Sequence, residues 1–136
     1  MRVLADTSVW SEALRRATKV PSGVVQELRS LIMEHRVDII GPIRQELLSG
    51  LRDDAQFTRL EKHLAAFPDL SLTAEDYVTA AKFYNTCRAK GVQGSNTDFL
   101  ICAVAVRRHS AIFTTDKDFP RFARHVPIVL HEKRVL

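Results

Sequence analysis

Four acidic side chains stand where a fold could bring their carboxylates together. Asp6 closes the apolar run Arg2-Val3-Leu4-Ala5, and Asp116 follows the run Ala111-Ile112-Phe113-Thr114-Thr115. Asp98 lies in the first turn of the helical stretch NTDFLICAVA, and Glu46 lies on the helical stretch PIRQELLSGL. A carboxylate beside a buried strand is costly to desolvate unless something pairs it. In open α/β sheets ligands bind outside the carboxyl ends of the strands, which sends Asp6 and Asp116 to one edge. Several carboxylates at close range repel one another, and a hard divalent cation relieves that repulsion. Oxygen-only donors favour Mg²⁺ or Mn²⁺ over zinc. Mg²⁺ keeps several waters and completes its shell with phosphate oxygens, so the chemistry implied is metal-assisted hydrolysis of a phosphodiester.

Each acid also has a structural explanation. Asp6 would serve as N-cap of a helix starting at Ser8. Asp98 would favour the dipole of a helix capped by Ser95, Asn96 or Thr97. Asp116 would form a turn before Lys117-Asp118-Phe119-Pro120. Counting 100° per residue, Ile43, Leu47, Gly50 and Leu51 make the inner stripe of the Glu46 helix, leaving Glu46 at its edge. Taken singly, each is explained without chemistry. Taken together, three fall at one sheet edge and the fourth borders the core, which favours a shared site.

The elements that must position them read as follows. A strand over Arg2–Ala5 leads into a helix from Ser8 to Arg16, and Pro21-Ser22-Gly23 breaks the chain. Val24, Val25, Leu28, Leu31 and Ile32 recur at helical spacing up to His35, and Val37–Ile40 is a strand closed by Gly41-Pro42. Helices are expected over Pro42–Leu51, Asp54–Phe67 and Ala74–Lys90, with a brief strand over Leu70–Leu72. Thr73 caps the long helix, Glu75 and Asp76 sit in its first turn, and Gly91 and Gly94 end it. A helix from Ser95-Asn96-Thr97 to Arg108, a strand over Ala111–Thr114, a short helix over Phe119–Arg124 and a last strand over Pro127–Leu130 complete the chain. Short strands alternating with helices predict an α/β sandwich with a small, mainly parallel sheet of four or five strands.

At 136 residues the chain reads as one domain, 1–136, with 46% hydrophobic and 26% charged residues. No apolar run approaches the ~20 residues that span a bilayer, and no signal peptide is visible. Cys87 and Cys102 lie in helical stretches without CxxC or Cys/His spacing, which predicts reduced core thiols and a cytoplasmic protein. The net charge of +4 suits a polyanionic partner. The basic groups are Arg15-Arg16 with Lys19, Arg107-Arg108, Lys117 with Arg121 and Arg124, and Lys133-Arg134; several sit where helices end and complement the dipole.

The stretches LADTSVW, PIRQELLSGL, NTDFLICAVA and IFTTDKDF, in this order and over nearly the whole chain, resemble the PIN-domain ribonucleases. Among these the likeness is best to the VapC toxins of toxin–antitoxin pairs. The resemblance implies an acidic quartet at Asp6, Glu46, Asp98 and Asp116, with Asp118 a fifth acid at the rim. It places hydroxyls that orient the first acid at Thr7, Ser8 and Thr114 or Thr115. It further implies a parallel sheet flanked by helices, a homodimer, RNA cleavage with Mg²⁺ or Mn²⁺, and silencing by a small antitoxin lying over the groove.

Other groups were weighed for chemistry. His35, His63, His109, His125 and His131 show no HExxH or paired spacing and read as surface residues or dipole partners. Without a positioned histidine, cleavage through the RNA 2′-hydroxyl is disfavoured, and metal-activated water leaving a 5′-phosphate is preferred. Trp10, with Val9, Ala13 and Leu14, forms either core packing or a groove for an apolar antitoxin segment. Two rival functions are a phosphoryl-accepting α/β domain of phosphatase or receiver kind, with Asp6 as nucleophile, and a non-catalytic RNA-binding module. A phosphatase of that kind usually needs a second Asp two residues on, where Ser8 stands.

Overall fold

The structure is a computed structural model that describes residues 1–15 and 22–134. Four short parallel strands make its sheet: β1 (Val3–Ala5), β2 (Val37–Asp38), β3 (Ala111–Phe113) and β4 (Val129–Leu130), in the order β2-β1-β3-β4. Parallel neighbours need crossover connections, and helices supply them. α1 (Thr7–Arg15) and α2 (Gly23–Met33) join β1 to β2. α3 (Gly41–Leu48), α4 (Asp54–Leu64), α5 (Ala74–Ala89) and α6 (Asn96–Arg107) join β2 to β3, and α7 (Asp118–Phe122) joins β3 to β4. The α/β architecture is the expected one. Because β2 lies on one side of β1 and β3 on the other, the strand order reverses at β1. The carboxyl ends of β1 and β3 therefore flank a switch-point crevice.

Burial follows from this topology. β1 and β3 are buried at every position, as central parallel strands covered on both faces must be. α6 is buried at every residue from Phe99 to Ala105, the pattern of a helix apolar all round. It packs against β1, β3 and α5. Trp10 is a core residue, 4% exposed and edge-on to Phe67 at 5.2 Å, whereas Leu14 faces solvent. Core packing thus accounts for Trp10 and Val9, although the Trp10 Nε1 has no hydrogen-bond partner. Both cysteines are buried free thiols, and burial raises the pKa of each.

Several expected boundaries move, each for a local reason. α4 stops at Leu64 rather than Phe67 because the Arg44 guanidinium takes the carbonyls of Leu64 (3.0 Å) and Phe67 and pairs with Asp69. The expected strand at Leu70–Leu72 is absent. In its place stands one parallel bridge between Ile39 and Asp69, with Leu70 N–H donating to the Ile39 carbonyl. α3 ends at Leu48 instead of Leu51, where Ser49 Oγ donates to the Gln45 carbonyl at 2.7 Å; Gly50 is exposed in the left-handed region, not part of an inner stripe. His35 and His109 also adopt left-handed φ just after α2 and α6, so these two histidines terminate helices. Gly94 ends no helix. A Cβ there would meet Phe122 Cζ at 2.5 Å, so the close approach of Phe122 requires glycine.

Two of the basic groups belong to the scaffold. Asp76, fully buried, closes a capping box with Thr73 and accepts from Arg107 Nη1 and Arg108 Nη1, both at 2.9 Å. Arg107 also reaches Glu75 at 2.8 Å. This cluster fixes α5 to the end of α6. Glu27, 5% exposed, accepts from Arg134 and pairs with His131 Nε2 at 2.6 Å, tying α2 to the segment after β4. His131 is therefore a half-buried hydrogen-bond partner of Glu27 rather than a surface group. Arg16, Lys19 and Pro21 lie outside the described residues. Among the described residues, no helix is long and apolar enough to cross a membrane.

Burial pushes the Asp76 pKa up, but the bonds from Arg108 and the Thr73 N–H and the charges of both arginines outweigh it, and the net direction is down. A lowered carboxylate contributes stability above its unfolded pKa and loses it as pH falls through the folded value. Asp76→Asn should destabilise the fold by about 2 kcal/mol, less than for a fully buried pair because both arginines keep some exposure. Its stability should also vary less with pH below 3.8, the ordinary value of an aspartate. Urea unfolding of both proteins from pH 7 down through that range is the check.

Candidate active site

The sheet register builds the centre of the site. Ala5 pairs with Phe113, so the next residues, Asp6 and Thr114, leave the sheet side by side. The Asp6 N–H donates to the Phe113 carbonyl at 2.9 Å, and Thr114 Oγ1 donates to Asp6 Oδ2 at 2.8 Å. Ser8 Oγ donates to the same oxygen at 3.1 Å, while the Thr7 N–H holds Asp6 Oδ1 at 2.7 Å. Asp6 is only 5% exposed, yet each of these partners is neutral. Asp6 also anchors α1 through its backbone carbonyl, which accepts from Val9 and Trp10. Its side chain turns to the site instead of reaching along the helix as a side-chain cap.

The hydroxyls extend this scaffold to the second strand-end acid. The Thr115 N–H donates to Ser8 Oγ at 3.1 Å, and the Asp116 N–H donates to Thr114 Oγ1 at 3.0 Å. The Asp118 N–H then donates to Asp116 Oδ1 at 2.9 Å. Asp118 thus touches Asp116 through its backbone; its carboxylate is half exposed, 3.8 Å from Arg121 and away from the cleft wall. Thr115 likewise contributes its N–H, with its side chain exposed.

The other two acids come from helices. Asp98 closes a capping box: its Oδ2 accepts from the Ser95 N–H at 3.0 Å, and its own N–H donates to Ser95 Oγ at 3.0 Å. The helix-start explanation for Asp98 is thus real, and it leaves Oδ1 unengaged by these bonds. Glu46, on α3, is exposed and accepts from Thr7 Oγ1 at 3.2 Å. Asp6, Glu46, Asp98 and Asp116 all line one open cleft of about 730 Å³ at the switch point. The rest of its wall is Thr7, Ser8, Ser11, Pro42, Gln45, Ser49, Ser95 and Thr97. Sequence reasoning missed Ser11, Gln45 and Ser49. Ser11 lies one turn after Thr7, and Ser49, the C-cap of α3, lies three residues after Glu46, so helical spacing held the signal for these two; Gln45, next to Glu46 in sequence, carried none.

No Lys, Arg or His lines this cleft among the described residues. Burial raises the pKa of Asp6 and of Asp98, and their hydrogen bonds only partly offset it. The Asp116 charge raises both further, and Asp6 adds to the rise at Asp98. Negative charge is concentrated here without a counter-cation from the protein. Among the described residues no three His, Cys, Asp or Glu side chains stand close enough together to hold a metal ion by themselves. The donors fit a hard ion that retains much of its water shell, as Mg²⁺ does. Asp6 has both oxygens hydrogen-bonded and little exposure, which leaves it poorly placed as an attacking nucleophile.

The profile of the PIN domain matches residues 3–125. Over 126 residues the chain is 36% identical to the VapC ribonuclease Mb1587 of Mycobacterium bovis and to ribonuclease VapC11 of Mycobacterium tuberculosis, covering 90% of this chain and 92% of each relative. This chain belongs to the PIN-domain family, among the VapC ribonucleases. Its fold superposes on the structure of FitAcB from Neisseria gonorrhoeae with a TM-score of 0.77 at 23% identity, covering 98% of this chain and 99% of that one. It superposes on VapBC2 from Rickettsia felis, solved with a promoter DNA fragment, with a TM-score of 0.78 at 19% identity and coverage of 96% and 98%.

In this PIN domain, the two roles of Asp98 can be separated. Asp98→Asn keeps an acceptor for the Ser95 N–H but deletes one charge from the crowded cleft. In EDTA it should be more stable than wild type by about 1 kcal/mol, after screening of the repulsion. Asp98→Ala also loses the box and should fall below Asp98→Asn by up to about 1 kcal/mol. Both should gain less melting temperature from Mn²⁺ than wild type does. If Asp98→Asn melts lower in EDTA and keeps the full Mn²⁺ shift, Asp98 only starts a helix.

Proposed function

We propose that residues 1–136 form one nuclease domain, a divalent-metal-dependent endoribonuclease that acts in the cytoplasm as the toxin of a toxin–antitoxin pair. The observation that carries this reading is the cleft lined by four carboxylates and no cation, at the point where strand order reverses. The names of the VapC ribonuclease relatives support RNA as substrate.

Asp6, Asp98 and Asp116, with Glu46 on the opposite helix, would hold Mg²⁺ or Mn²⁺. Bound there, the ion supplies charge against the phosphodiester and activates a water for hydrolysis. The chain's own contribution is positional. Thr7, Ser8 and Thr114 fix both oxygens of Asp6, so its carboxylate is pre-aimed and loses little freedom when it engages. Ser95 holds one oxygen of Asp98 and leaves the other directed to solvent or ligand. The Asp118 N–H sets Asp116. Thr7 Oγ1 steadies Glu46, linking the wall on α3 to the sheet edge. The phosphate itself meets no lysine or arginine in the cleft, so metal-free protein repels its substrate.

Purified protein should cleave single-stranded or looped RNA with Mg²⁺ or Mn²⁺, leave 5′-phosphates and stop in EDTA. Asn at position 6, 98 or 116 should lower kcat/KM at least about 100-fold. Asp118→Ala should change it no more than about threefold, because the contact is made by its N–H. Undiminished cleavage in EDTA would remove the metal mechanism.

A further structural neighbour, VapBC-5 from Mycobacterium tuberculosis, belongs to the VapBC family of toxin–antitoxin systems, which supports an antitoxin as partner; the homodimer follows from the resemblance to the VapC toxins. A cation replaces metal charge among paired carboxylates, so the antitoxin should seat an Arg or Lys in the cleft. A complex that leaves Asp6, Asp98 and Asp116 open to solvent would contradict this and require inhibition at a distance.

A further inference from the structure

Beside the acidic cleft lies a second groove, of about 480 Å³, between α5 and α6. Thr97, the residue before Asp98, lines both, so the two cavities adjoin. The groove is not acidic. Tyr77 and Tyr84 stand on one stripe of α5, and Asn85 from α5 and Asn96 from the start of α6 also line it. Tyr77 is 55% exposed, too much for a residue serving the core. The Tyr84 ring is set edge-on to Phe99 at 5.5 Å, and its Oη accepts from Arg88 at 3.1 Å. Among the described residues, neither asparagine side chain has a hydrogen-bond partner in the protein.

We infer that this groove is a subsite for one unpaired nucleobase flanking the scissile phosphate. The inference rests on the nuclease reading and gives it a source of affinity. Among the described residues the cleft lining offers the phosphate backbone no cation, so contacts indifferent to charge are a needed source of affinity. Base–aromatic stacking is such a contact, and every base has a face for it. Asparagine amides carry a donor and an acceptor, matching the edge of a base swung out of a helix. Arg88, at the far end of the Tyr84 ring, offers the next phosphate the cation the cleft lacks. A second copy of the chain is the competing occupant; two unpaired amides in the lining and the acidic cleft next to it favour RNA. The substrate is therefore unpaired at the nucleotide next to the cut.

The test uses the exposed tyrosine, whose truncation leaves the core intact. Binding of a fluorescently labelled, unstructured RNA is followed by anisotropy with Ca²⁺ replacing Mg²⁺, and cleavage with Mg²⁺ gives kcat and KM. Tyr77→Ala should raise Kd and KM about tenfold with kcat unchanged, Tyr77→Phe should restore both, and double-stranded RNA should be insensitive to either. If Tyr77→Ala leaves Kd and KM unchanged, or shifts them only by turning a dimer into a monomer on sedimentation, the subsite is overturned while the nuclease reading stands. RNA binding that depends on Tyr77 without any cleavage keeps the subsite and removes the hydrolase. If wild type neither binds nor cleaves RNA, both fall.

Discussion

The structure depends on how one carboxylate is kept at the edge of a buried sheet. Asp6 follows a strand with no exposed residue, and its side chain is itself 5% exposed. Three neutral donors hold it, from Thr7, Ser8 and Thr114. Hydrogen bonds make an ionised group tolerable in such a place without cancelling its charge. Asp76 shows the alternative. It is buried as deeply, but Arg107 and Arg108 meet it directly and its pKa is lowered, whereas that of Asp6 is raised. The same residue type in similar burial is pushed in opposite directions by whether its partners carry charge. One aspartate is a clamp. The other keeps a field that something from outside must complete.

That field needs a rigid frame, and the frame is built where the chemistry is not. α6 carries Asp98 at its start and the Arg107–Arg108 pair at its end, one buried helix length apart. The ion cluster on Asp76 locks that far end to α5, while the apolar stretch Phe99–Ala105 seats the helix on β1 and β3. The position of Asp98 relative to Asp6 is thus set by core packing. Gly94 contributes by letting Phe122 approach the turn just before Ser95, which brings α7 against the base of α6. Part of the basic character of the chain is used in this frame, at Asp76 and at Glu27, and a net charge of +4 coexists with a cleft that has no cation among the described residues.

The sequence made the strand-end acids legible because two rules converge on them: apolar runs mark parallel strands, and ligands gather at their carboxyl ends. Ala5 and Phe113 occupy the same register level, which is why Asp6 and Asp116 reach one edge. Helix starts were read well wherever a cap was local, as at Ser95 and Thr73. Helix ends were read less well, because they are decided by partners far away in sequence. Arg44 stops α4 from 20 residues upstream, through the Leu64 carbonyl. The strand read into Leu70–Leu72 failed for the same reason: the pairing is limited to one bridge between Ile39 and Asp69, which does not extend. His131 was invisible as a partner of Glu27 because the two lie 104 residues apart. The walls contributed by Ser11 and Ser49 were legible in principle, since each follows Thr7 or Glu46 at helical spacing, whereas Gln45 was not.

The arrangement also constrains how a polyanion can be bound. In many nucleic-acid binders, lysines and arginines supply affinity by releasing counterions. Here the residues nearest the reacting phosphate would add repulsion, and bound metal can offset that only locally, within a few ångströms. Affinity must then be collected away from the cut, by surfaces that do not add to the negative field. Contacts to bases answer that need, because a ring face binds without regard to the charge beside it. On that reading a site of this kind repels RNA until an ion arrives. It is also open to any protein segment that brings its own cation, since an arginine side chain meets the same unpaired charge. On the proposed reading, activity and inhibition draw on one property of the cleft: Asp6 and its neighbours are held close, hydrogen-bonded, and left without a positive partner of their own.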